Sequence, residues 1–280
     1  MNDHRISTPF SVLHAASLLS QTSRIRKFAE AISRVVTPDT RVVDVGTGSG
    51  ILAMLAAKAG AAEVVALDIN QESVEYAKKA AFMNGLNDRI DFRVCHFADY
   101  FPEEKFDVVI CEMLSAMLLV EQQIPATRHI WSYVIKKDGV FLPSSVRTYI
   151  ATVQCDSIWN RFSIQNLLFP MLPQSVAKGQ TDDLTDLQEL SFFNLSTICD
   201  EFMVEKTLKM DIVQDGVAHG IIGVFEASLV DDIRLRMEDG WRELFVPFQR
   251  MIDVKSGDVL EVYISYQPGR LDTICIDANL

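Results

Sequence analysis

The stretch RVVDVGTGSG at residues 41–50 combines a branched apolar run with three glycines at alternate positions. The run RVVDV is typical of a buried strand, and ILAMLAAKAG, directly after the stretch, has the pattern of a helix that ends at Gly60. Glycines at this spacing let the backbone turn sharply and pass close to a ligand at the carboxyl edge of a sheet. The stretch therefore predicts a strand, a ligand-binding turn and a helix.

Strand and helix patterns alternate from this stretch to residue 143. Continuous apolar runs, typical of parallel strands covered on both faces, recur in EVVALDI, IDFRVC, FDVVICEM and GVFLPS. Helical patterns occur in QESVEYAKKAAFMNGL and VEQQIPATRHIWSYVI, and also at residues 14–35. We expect right-handed βαβ units, and therefore an α/β fold with a helical segment at 1–36 and a Rossmann-like, doubly wound domain at 37–143.

The pattern changes after Pro143. Short segments rich in Thr, Val and Ile follow, separated by turn residues such as QDG and KSGD. These segments are VRTYIATVQ, EKTLKMDIV, GIIGVFEASL, LFVPFQR and DVLEVYISYQ. They predict a largely antiparallel, β-barrel-like domain at 144–280. Residues 157–190 interrupt the pattern with an aromatic, apolar section and then a polar one, which indicates an inserted arm or a mobile loop.

The composition limits the classes of partner. The chain has 280 residues, a formal net charge of −12 and no visible basic stripe, which disfavours nucleic acid and favours a cationic substrate or a small molecule. No apolar run reaches the roughly 18 residues of a membrane span, and the N-terminus lacks the apolar core of a signal peptide. The five cysteines are scattered, with no close pair at metal-ligand spacing. We therefore expect a cytoplasmic protein with no membrane partner and no bound metal.

The glycine stretch also indicates which kind of ligand binds. Its spacing differs from the G-x-G-x-x-G of dinucleotide-binding loops, and Asp44 stands two residues before the first glycine. This arrangement favours a nucleoside whose other end is an amino acid, as in S-adenosylmethionine; a nicotinamide cofactor remains the competing ligand. Asp68 closes the second strand, where a carboxylate can accept both ribose hydroxyls. Asp99, after the third strand, is placed to reach an adenine amino group, and a solvated loop aspartate is the alternative.

Two glutamates flank a small apolar segment after the fourth strand. Glu112 and Glu121 lie at the same predicted edge of the sheet as the glycine stretch. Two carboxylates in a closed pocket repel each other unless a cation lies between them. A guanidinium fits two carboxylates, which can localise its charge and leave electron density on the nitrogen that reacts. The pair therefore predicts a guanidinium acceptor; the alternative is that Glu112 starts a helix and Glu121 is exposed.

These segments resemble the protein arginine methyltransferase family. VVDVGTGSGILAMLAAKAG is similar to the family's first motif and the helix behind it, and the Glu112–Glu121 interval is similar to its double-glutamate hairpin. GVFLPSSVRTYIATV resembles the family's passage from the Rossmann domain to its β-barrel, and HGIIGVFEASL and WRELFVPFQRMIDVKSGDVLEV resemble two stretches of that barrel. The resemblance implies an S-adenosylmethionine-dependent N-methyltransferase acting on arginine in a protein, a peptide or a small guanidine compound. The segment 157–190 lies where the family has its dimerisation arm, which implies a homodimer.

The resemblance assigns roles to individual residues. Glu112 and Glu121 match the substrate carboxylates, and Trp241 is placed to line the acceptor channel. Arg24 falls where the family has an arginine that pairs with the cofactor's carboxylate, with Arg26 as the alternative. The candidate cofactor-binding residues are Arg24, Asp44, Gly46, Thr47, Gly48, Gly50, Asp68, Ile69, Asp99 and Glu112.

The sequence also departs from the family pattern in the acceptor region. MLSA at 113–116 replaces the usual Trp-Met-Gly-Tyr, and DGW at 239–241 replaces Thr-His-Trp. These departures leave the acceptor open. A class I methyltransferase for another small-molecule or protein acceptor and a catalytically silent module that binds S-adenosylmethionine are the two alternatives. A nucleobase methylase is disfavoured, because CEML stands where its Asp/Asn-Pro-Pro-aromatic motif would be.

Overall fold

The computed structural model describes residues 11–198 and 203–280 of the chain. Residues 1–10 of the expected N-terminal segment, together with Cys199, lie outside the described residues.

Two helices follow the start of the described chain, in agreement with the helical pattern at 14–35. They are α1 (Val12–Ser17) and α2 (Thr22–Val35), joined by a 3₁₀ turn at Leu18–Ser20. The Ser11 side chain caps α1 by accepting a hydrogen bond from the His14 amide. α2 is amphipathic and buries one face, centred on Phe28, in the main core.

A five-stranded parallel sheet forms the next part of the chain, with the strand order β3-β2-β1-β4-β5. The order reverses at β1, which pairs with β2 on one side and β4 on the other. In open α/β sheets, ligands bind outside the carboxyl ends of the strands at such a reversal. The predicted Rossmann-like fold is confirmed. The strands are β1 (Arg41–Val45), β2 (Glu63–Asp68), β3 (Ile90–Val94), β4 (Phe106–Cys111) and β5 (Ile135–Leu142), and the helices are α3 (Ile51–Lys58), α4 (Gln71–Met83) and α5 (Gln123–Tyr133).

The first strand and helix show why the glycine stretch folds as it does. Val42 and Val43 are fully buried because β1 is the central strand and is covered on both faces. α3 packs closely on the sheet, since most of its buried residues are alanines. Gly50 precedes α3 with a φ of +78°, and a Cβ there would lie 2.8 Å from the Cβ of Ala77. Only glycine therefore suits this position.

Antiparallel strands form the second part of the fold, and the predicted barrel-like domain is confirmed. The larger sheet runs β10-β6-β13-β15-β9, with β11 paired to β6 and β14 to β13, and a smaller sheet runs β12-β16-β17. The sequence pattern predicted neither β11 and β17 nor the short strands β7, β8, β9, β10 and β14. The strands are β6 (Ser145–Gln154), β7 (Ser163–Ile164), β8 (Leu167–Leu168), β9 (Gln174–Val176), β10 (Asp182–Asp183), β11 (Gln188–Asn194), β12 (Val204–Asp211), β13 (Gly216–Ser228), β14 (Arg234–Arg236), β15 (Glu243–Val254), β16 (Val259–Gln267) and β17 (Arg270–Asn279).

The segment 157–190 is not one continuous insertion. Its first part contains the end of the short helix α6 (Asp156–Trp159) and a hairpin of β7 and β8 that pairs only with itself among the described strands. Its second part belongs to the barrel, because β9 pairs with β15 and β10 pairs with β6. The arm expected over the whole range is therefore restricted to the part before β9.

Neither a membrane-spanning helix nor a group of metal ligands occurs among the described residues. No helix within 11–198 or 203–280 is both long and apolar enough to cross a membrane. The same ranges contain no group of three or more His, Cys, Asp or Glu side chains that could hold a metal ion.

Gly50→Ala is expected to lower the free energy of unfolding by about 3 kcal/mol, measured by urea denaturation. The positive φ costs an L-residue about 1–2 kcal/mol, and the overlap with Ala77 adds about 1–2 kcal/mol. Gly60→Ala is the matched control, because Gly60 also has a positive φ (+99°) but no atom within 4 Å of the added Cβ. Equal losses in the two variants would contradict the role of the close packing.

Candidate active site

Asp44, near the end of β1, holds the glycine loop that follows this strand. Its carboxylate accepts hydrogen bonds from the Thr47 hydroxyl at 2.6 Å and from the Ala53 amide at 3.1 Å. Burial raises the pKa of Asp44 to about 7, against the opposing effect of these two hydrogen bonds. The amides of Gly46 and Thr47 both donate to the carbonyl oxygen of Leu67 at 2.8 Å. The predicted residues Asp44 and Thr47 thus hold the loop in place, and their side chains point beneath it.

Asp68 lies beside this loop at the end of β2. Its carboxylate accepts hydrogen bonds from the amides of Gly48 and Asn70, each at 2.8 Å. Burial raises its pKa, and the amides of Asn70, Gly48 and the following Ile69 act in the opposite direction. An ionised carboxylate has about four acceptor positions. Asp68 therefore keeps capacity for a further donor, such as the ribose hydroxyls expected from the sequence.

The surface above the glycine loop fits a ligand that approaches the backbone closely. A Cβ on Gly46 would lie 3.4 Å from Cγ of Met113, and one on Gly48 would lie 3.5 Å from Cβ of Ala15. The loop therefore presents bare backbone between α1 and the segment that follows β4, an arrangement that we call the cradle. Side chains in place of its glycines would occupy the space beside this backbone. This cradle and the neighbouring Asp68 fit the nucleoside of S-adenosylmethionine. Asp99 is exposed at the end of a 3₁₀ turn, so its contact with adenine stays a prediction.

We call residues 112–121 the acceptor loop. The hydroxyl of Ser115 closes this loop. This oxygen accepts hydrogen bonds from the amides of Val120 and Glu121, both at 3.2 Å. The two hydrogen bonds bring the end of the loop back to its beginning, so that Glu121 returns toward Glu112. Sequence reasoning noted Ser115 only as a departure from the family pattern and did not foresee this role.

The first part of the acceptor loop is held by two side chains from other elements. The indole Nε1 of Trp241 donates to the carbonyl oxygen of Leu114 at 2.9 Å, and Oε1 of Gln123 accepts from the amide of Met113 at 2.9 Å. Phe225 packs edge-on against the indole, with 5.1 Å between the ring centroids. Trp241 therefore contacts the acceptor loop, and its lining of an acceptor channel stays a prediction. Gln123 is a contact of this loop that the sequence did not indicate.

Arg24 enters the site from α2. Its guanidinium forms an ion pair with Glu112 and lies over the ring of Trp241, with Cζ 4.6 Å from the ring centroid. A further hydrogen bond joins Nη1 to Oε1 of Gln21 at 2.9 Å. The pairing of Arg24 with the carboxylate of the cofactor, expected from the sequence, stays a prediction. The alternative residue, Arg26, is exposed.

The same end of α2 is attached to the barrel loop that carries Trp241. Nε2 of Gln21 donates to the carbonyl oxygen of Gly240 at 2.8 Å. The two residues are in such close contact that a Cβ on Gly240 would lie 2.4 Å from Cδ of Gln21. Ser23 and Lys27 both donate to the Asp239 carboxylate, each at 2.6 Å. This docking places the guanidinium of Arg24 against Glu112 and within electrostatic reach of Glu121.

Arg24 and Glu121 change each other's ionisation. Burial raises the pKa of Glu121 to about 7, and the positive charge of Arg24 limits this rise. Burial lowers the pKa of Arg24 to about 10, and the negative charge of Glu121 limits that fall. Burial therefore makes the ionised form of Glu121 less favourable than it is in water, and the nearby cation offsets part of this cost. Glu121 can hold a cation when it is ionised, and it can accept a proton at little cost.

Comparisons with known proteins agree with this geometry. The family model described as ribosomal protein L11 methyltransferase (PrmA) matches residues 27–147. The chain is 25% identical over 270 residues to the arginine N(omega)-methyltransferase of Streptomyces achromogenes subsp. streptozoticus, which covers 89% of this chain and 75% of that enzyme. The chain is a methyltransferase that resembles the arginine methyltransferases. This methyltransferase uses S-adenosylmethionine, and the nicotinamide alternative is wrong.

Two further comparisons extend over the barrel. The methyltransferase is 27% identical over 190 residues to protein arginine N-methyltransferase 2 of Dictyostelium discoideum, covering 65% of this chain but 36% of that protein. It also has the fold of the Trypanosoma brucei PRMT1 enzyme–prozyme heterotetrameric complex with AdoHcy, with a TM-score of 0.78 at 19% identity, over 94% of this chain and 92% of that one. The methyltransferase therefore shares both the Rossmann-like domain and the barrel with this fold.

The free energy of unfolding is expected to fall as the pH rises from about 4.5 to 7, the pKa range of Glu121 between its ordinary value and the folded protein. In this range the folded protein holds a proton on Glu121 that the unfolded chain has released, so rising pH favours unfolding. Glu121→Gln removes the titrating carboxyl group. The free energy of unfolding, measured by urea denaturation at a series of pH values, is therefore expected to decline less steeply with pH in this variant. Glu103→Gln, at an exposed position, is the control and should keep the wild-type slope. An unchanged slope in Glu121→Gln would contradict the raised pKa.

Proposed function

We propose that this methyltransferase transfers a methyl group from S-adenosylmethionine to a terminal nitrogen of an arginine guanidinium. The observation that carries the proposal is the guanidinium of Arg24 inside the acceptor loop, ion-paired with Glu112, stacked on Trp241 and electrostatically coupled to Glu121. A pocket that holds one guanidinium in this way has the charge and the flat aromatic wall that a second guanidinium needs. Arg24 is paired with Glu112, which leaves Glu121 to bind the acceptor.

The residues of the chain have separate parts in this proposal. Glu121 binds the acceptor guanidinium, whose positive charge lowers the pKa of the carboxyl group and so ionises it as the acceptor enters. Glu112 and Arg24 neutralise each other, so the pocket gains no net charge from that pair. When bound, S-adenosylmethionine supplies an electrophilic methyl group. The proton that the guanidinium loses after transfer passes to Glu121 or to water; burial, which raises the pKa of Glu121, makes its carboxylate a better proton acceptor than an exposed one.

Two classes of acceptor are supported by what is known of the chain. The net charge of −12 favours a cationic acceptor of any size. The Streptomyces relative is named for arginine and the Dictyostelium relative for protein arginine. Free arginine and arginine-containing peptides are therefore both candidate acceptors, and the test includes both.

Methyl transfer is tested with S-adenosylmethionine that carries a labelled methyl group, L-arginine and a glycine- and arginine-rich peptide. The wild-type protein is expected to label at least one of the two acceptors. Glu112→Gln and Glu121→Gln are each expected to lower kcat/KM for the acceptor at least about 100-fold, because each removes a charged contact to the reacting group or to its neighbour.

Glu103→Gln is the matched control for this experiment, because it makes the same chemical change at an exposed position outside the acceptor loop. Cofactor binding without transfer to either guanidine compound would overturn the arginine assignment and favour another acceptor or a silent module. Transfer that persists in both acceptor-loop variants would show that the glutamates do not bind the acceptor.

We also propose that the methyltransferase is a cytoplasmic homodimer joined through the β7–β8 hairpin. The hairpin and the residues after it carry exposed apolar side chains, namely Ile164, Leu167, Leu168, Phe169 and Leu172. Leu168 alone is 84% exposed. An apolar group of this size on an isolated chain would be costly in water, and a second copy is the occupant that symmetry favours. The absence of disulfides among Cys95, Cys111, Cys155 and Cys275 supports a reducing compartment.

Leu168→Asp is expected to convert the dimer to a monomer in sedimentation velocity at micromolar concentration, because it buries a charge in the apolar contact. Met251→Asp is the control, since Met251 is 54% exposed on barrel strand β15 and lies outside the hairpin. A monomeric wild-type protein at the same concentration would refute the dimer.

A further inference from the structure

The middle of the acceptor loop has an unusual backbone. Met117 and Leu118 have φ values of 59° and 53°, in the left-handed region that favours glycine. Both side chains are fully buried. Two consecutive residues of this kind persist only where the surrounding structure holds them in place. The contacts of Met117 and Leu118 therefore decide the shape of the loop between the two glutamates.

Tyr266 supplies the first of these contacts. Its hydroxyl donates a hydrogen bond to the carbonyl oxygen of Met117 at 2.8 Å, and its side chain is only 1% exposed. The hydroxyls of Ser191 and Thr148 lie beside the same phenol oxygen and 2.6 Å from each other. Burial raises the pKa of Tyr266, so the phenol keeps its proton. The loop carbonyl is thus connected through one phenol to strands β16, β11 and β6.

Two more contacts from the barrel fix the same two residues. The amide of Gly269 donates to the carbonyl oxygen of Leu118 at 2.9 Å. The Met117 side chain fills the space beside Gly223, where a Cβ would lie 2.2 Å from Sδ. Gly269 follows β16 and Gly223 lies on β13, so the barrel strands impose the left-handed turn on the loop. Neither contact replaces the phenol, because neither reaches the Met117 carbonyl.

We propose that Tyr266 is a positioning residue of the methyl-transfer site: its hydroxyl holds the Met117 carbonyl and thereby sets the position of Glu121. This inference rests on the proposed function. Without the hydrogen bond, residues 117 and 118 lose a restraint on their left-handed conformation. Relaxation there moves the chain that leads to Glu121, whereas the glycine loop and Asp68 are held by their own hydrogen bonds. The acceptor side of the site is therefore affected and the cofactor side is not.

Tyr266→Phe tests the proposal, because it removes the hydroxyl and keeps the buried ring. With the labelled cofactor and the acceptor that the wild-type protein uses, kcat is expected to fall about tenfold to a hundredfold, as small misplacements of reacting groups do. The KM and the Kd for S-adenosylmethionine are expected to stay within about twofold of wild type, since the glycine loop is untouched. Ser191→Ala leaves Tyr266 in place and is expected to cause a smaller fall in kcat.

Tyr263→Phe is the matched control on the same strand. Its hydroxyl donates to Oε1 of Glu205 at 3.0 Å, away from the acceptor loop, so its removal is expected to leave kcat unchanged. An unchanged kcat in Tyr266→Phe would overturn the proposal. So would a loss of cofactor affinity equal to the loss of kcat, because that would indicate general damage to the fold.

Hydrogen–deuterium exchange separates this inference from the proposed function. In Tyr266→Phe the amides of residues 116–121 are expected to exchange faster, whereas those of β1 keep their wild-type protection and Tyr263→Phe shows neither change. If the wild-type protein methylates no guanidine compound, the proposed function fails and the exchange result still decides whether Tyr266 holds the loop. Unchanged exchange at 116–121 would overturn the positioning role whatever the acceptor.

Discussion

The ion pair between Arg24 and Glu112 is the interaction on which the arrangement of the site depends. Its side chains are only 11% and 9% exposed, respectively. Removing two charges from water costs several kcal/mol for each ion unless neighbours compensate. Here Gln21 accepts a hydrogen bond from the guanidinium, and Trp241 covers its face. The pair joins α2, the end of β4 and the barrel, so these three parts must come together before either charge is stabilised.

The ion pair between Arg24 and Glu112 can form only because α2 packs against the barrel. Hydrogen bonds from Ser23 and Lys27 to Asp239 hold the first turns of the helix, and the Asp239 side chain is 2% exposed. The acceptor loop is held by the barrel as well, through the indole of Trp241 and the phenol of Tyr266. The Rossmann-like domain supplies both glutamates, but the barrel decides where they point. An isolated Rossmann-like domain would therefore have the cofactor loop without a formed acceptor site.

The parts of the molecule that follow from local pattern could be predicted from the sequence. The valines of β1 and the glycines after it specify a central strand and a turn, because burial and positive φ act on neighbouring residues. The roles of Ser115, Gln123 and Tyr266 could not be predicted, since each depends on contacts with a loop whose shape no local pattern reveals. Asp44 shows the same limit. Its position beside the glycines was informative, but only the structure shows that its carboxylate faces Thr47 and Ala53 beneath the loop.

The close contact between Gln21 and Gly240 has a consequence for how this protein can change over time. Gly240 has a φ of +139°, a backbone conformation that L side chains rarely adopt, and a Cβ there would meet the end of the Gln21 side chain. A side chain at position 240 would therefore require Gln21 to rotate away and to give up its hydrogen bonds to the Gly240 carbonyl oxygen and to Arg24. In evolutionary terms, a change at position 240 favours a compensating change at position 21, although the two positions are far apart in the chain.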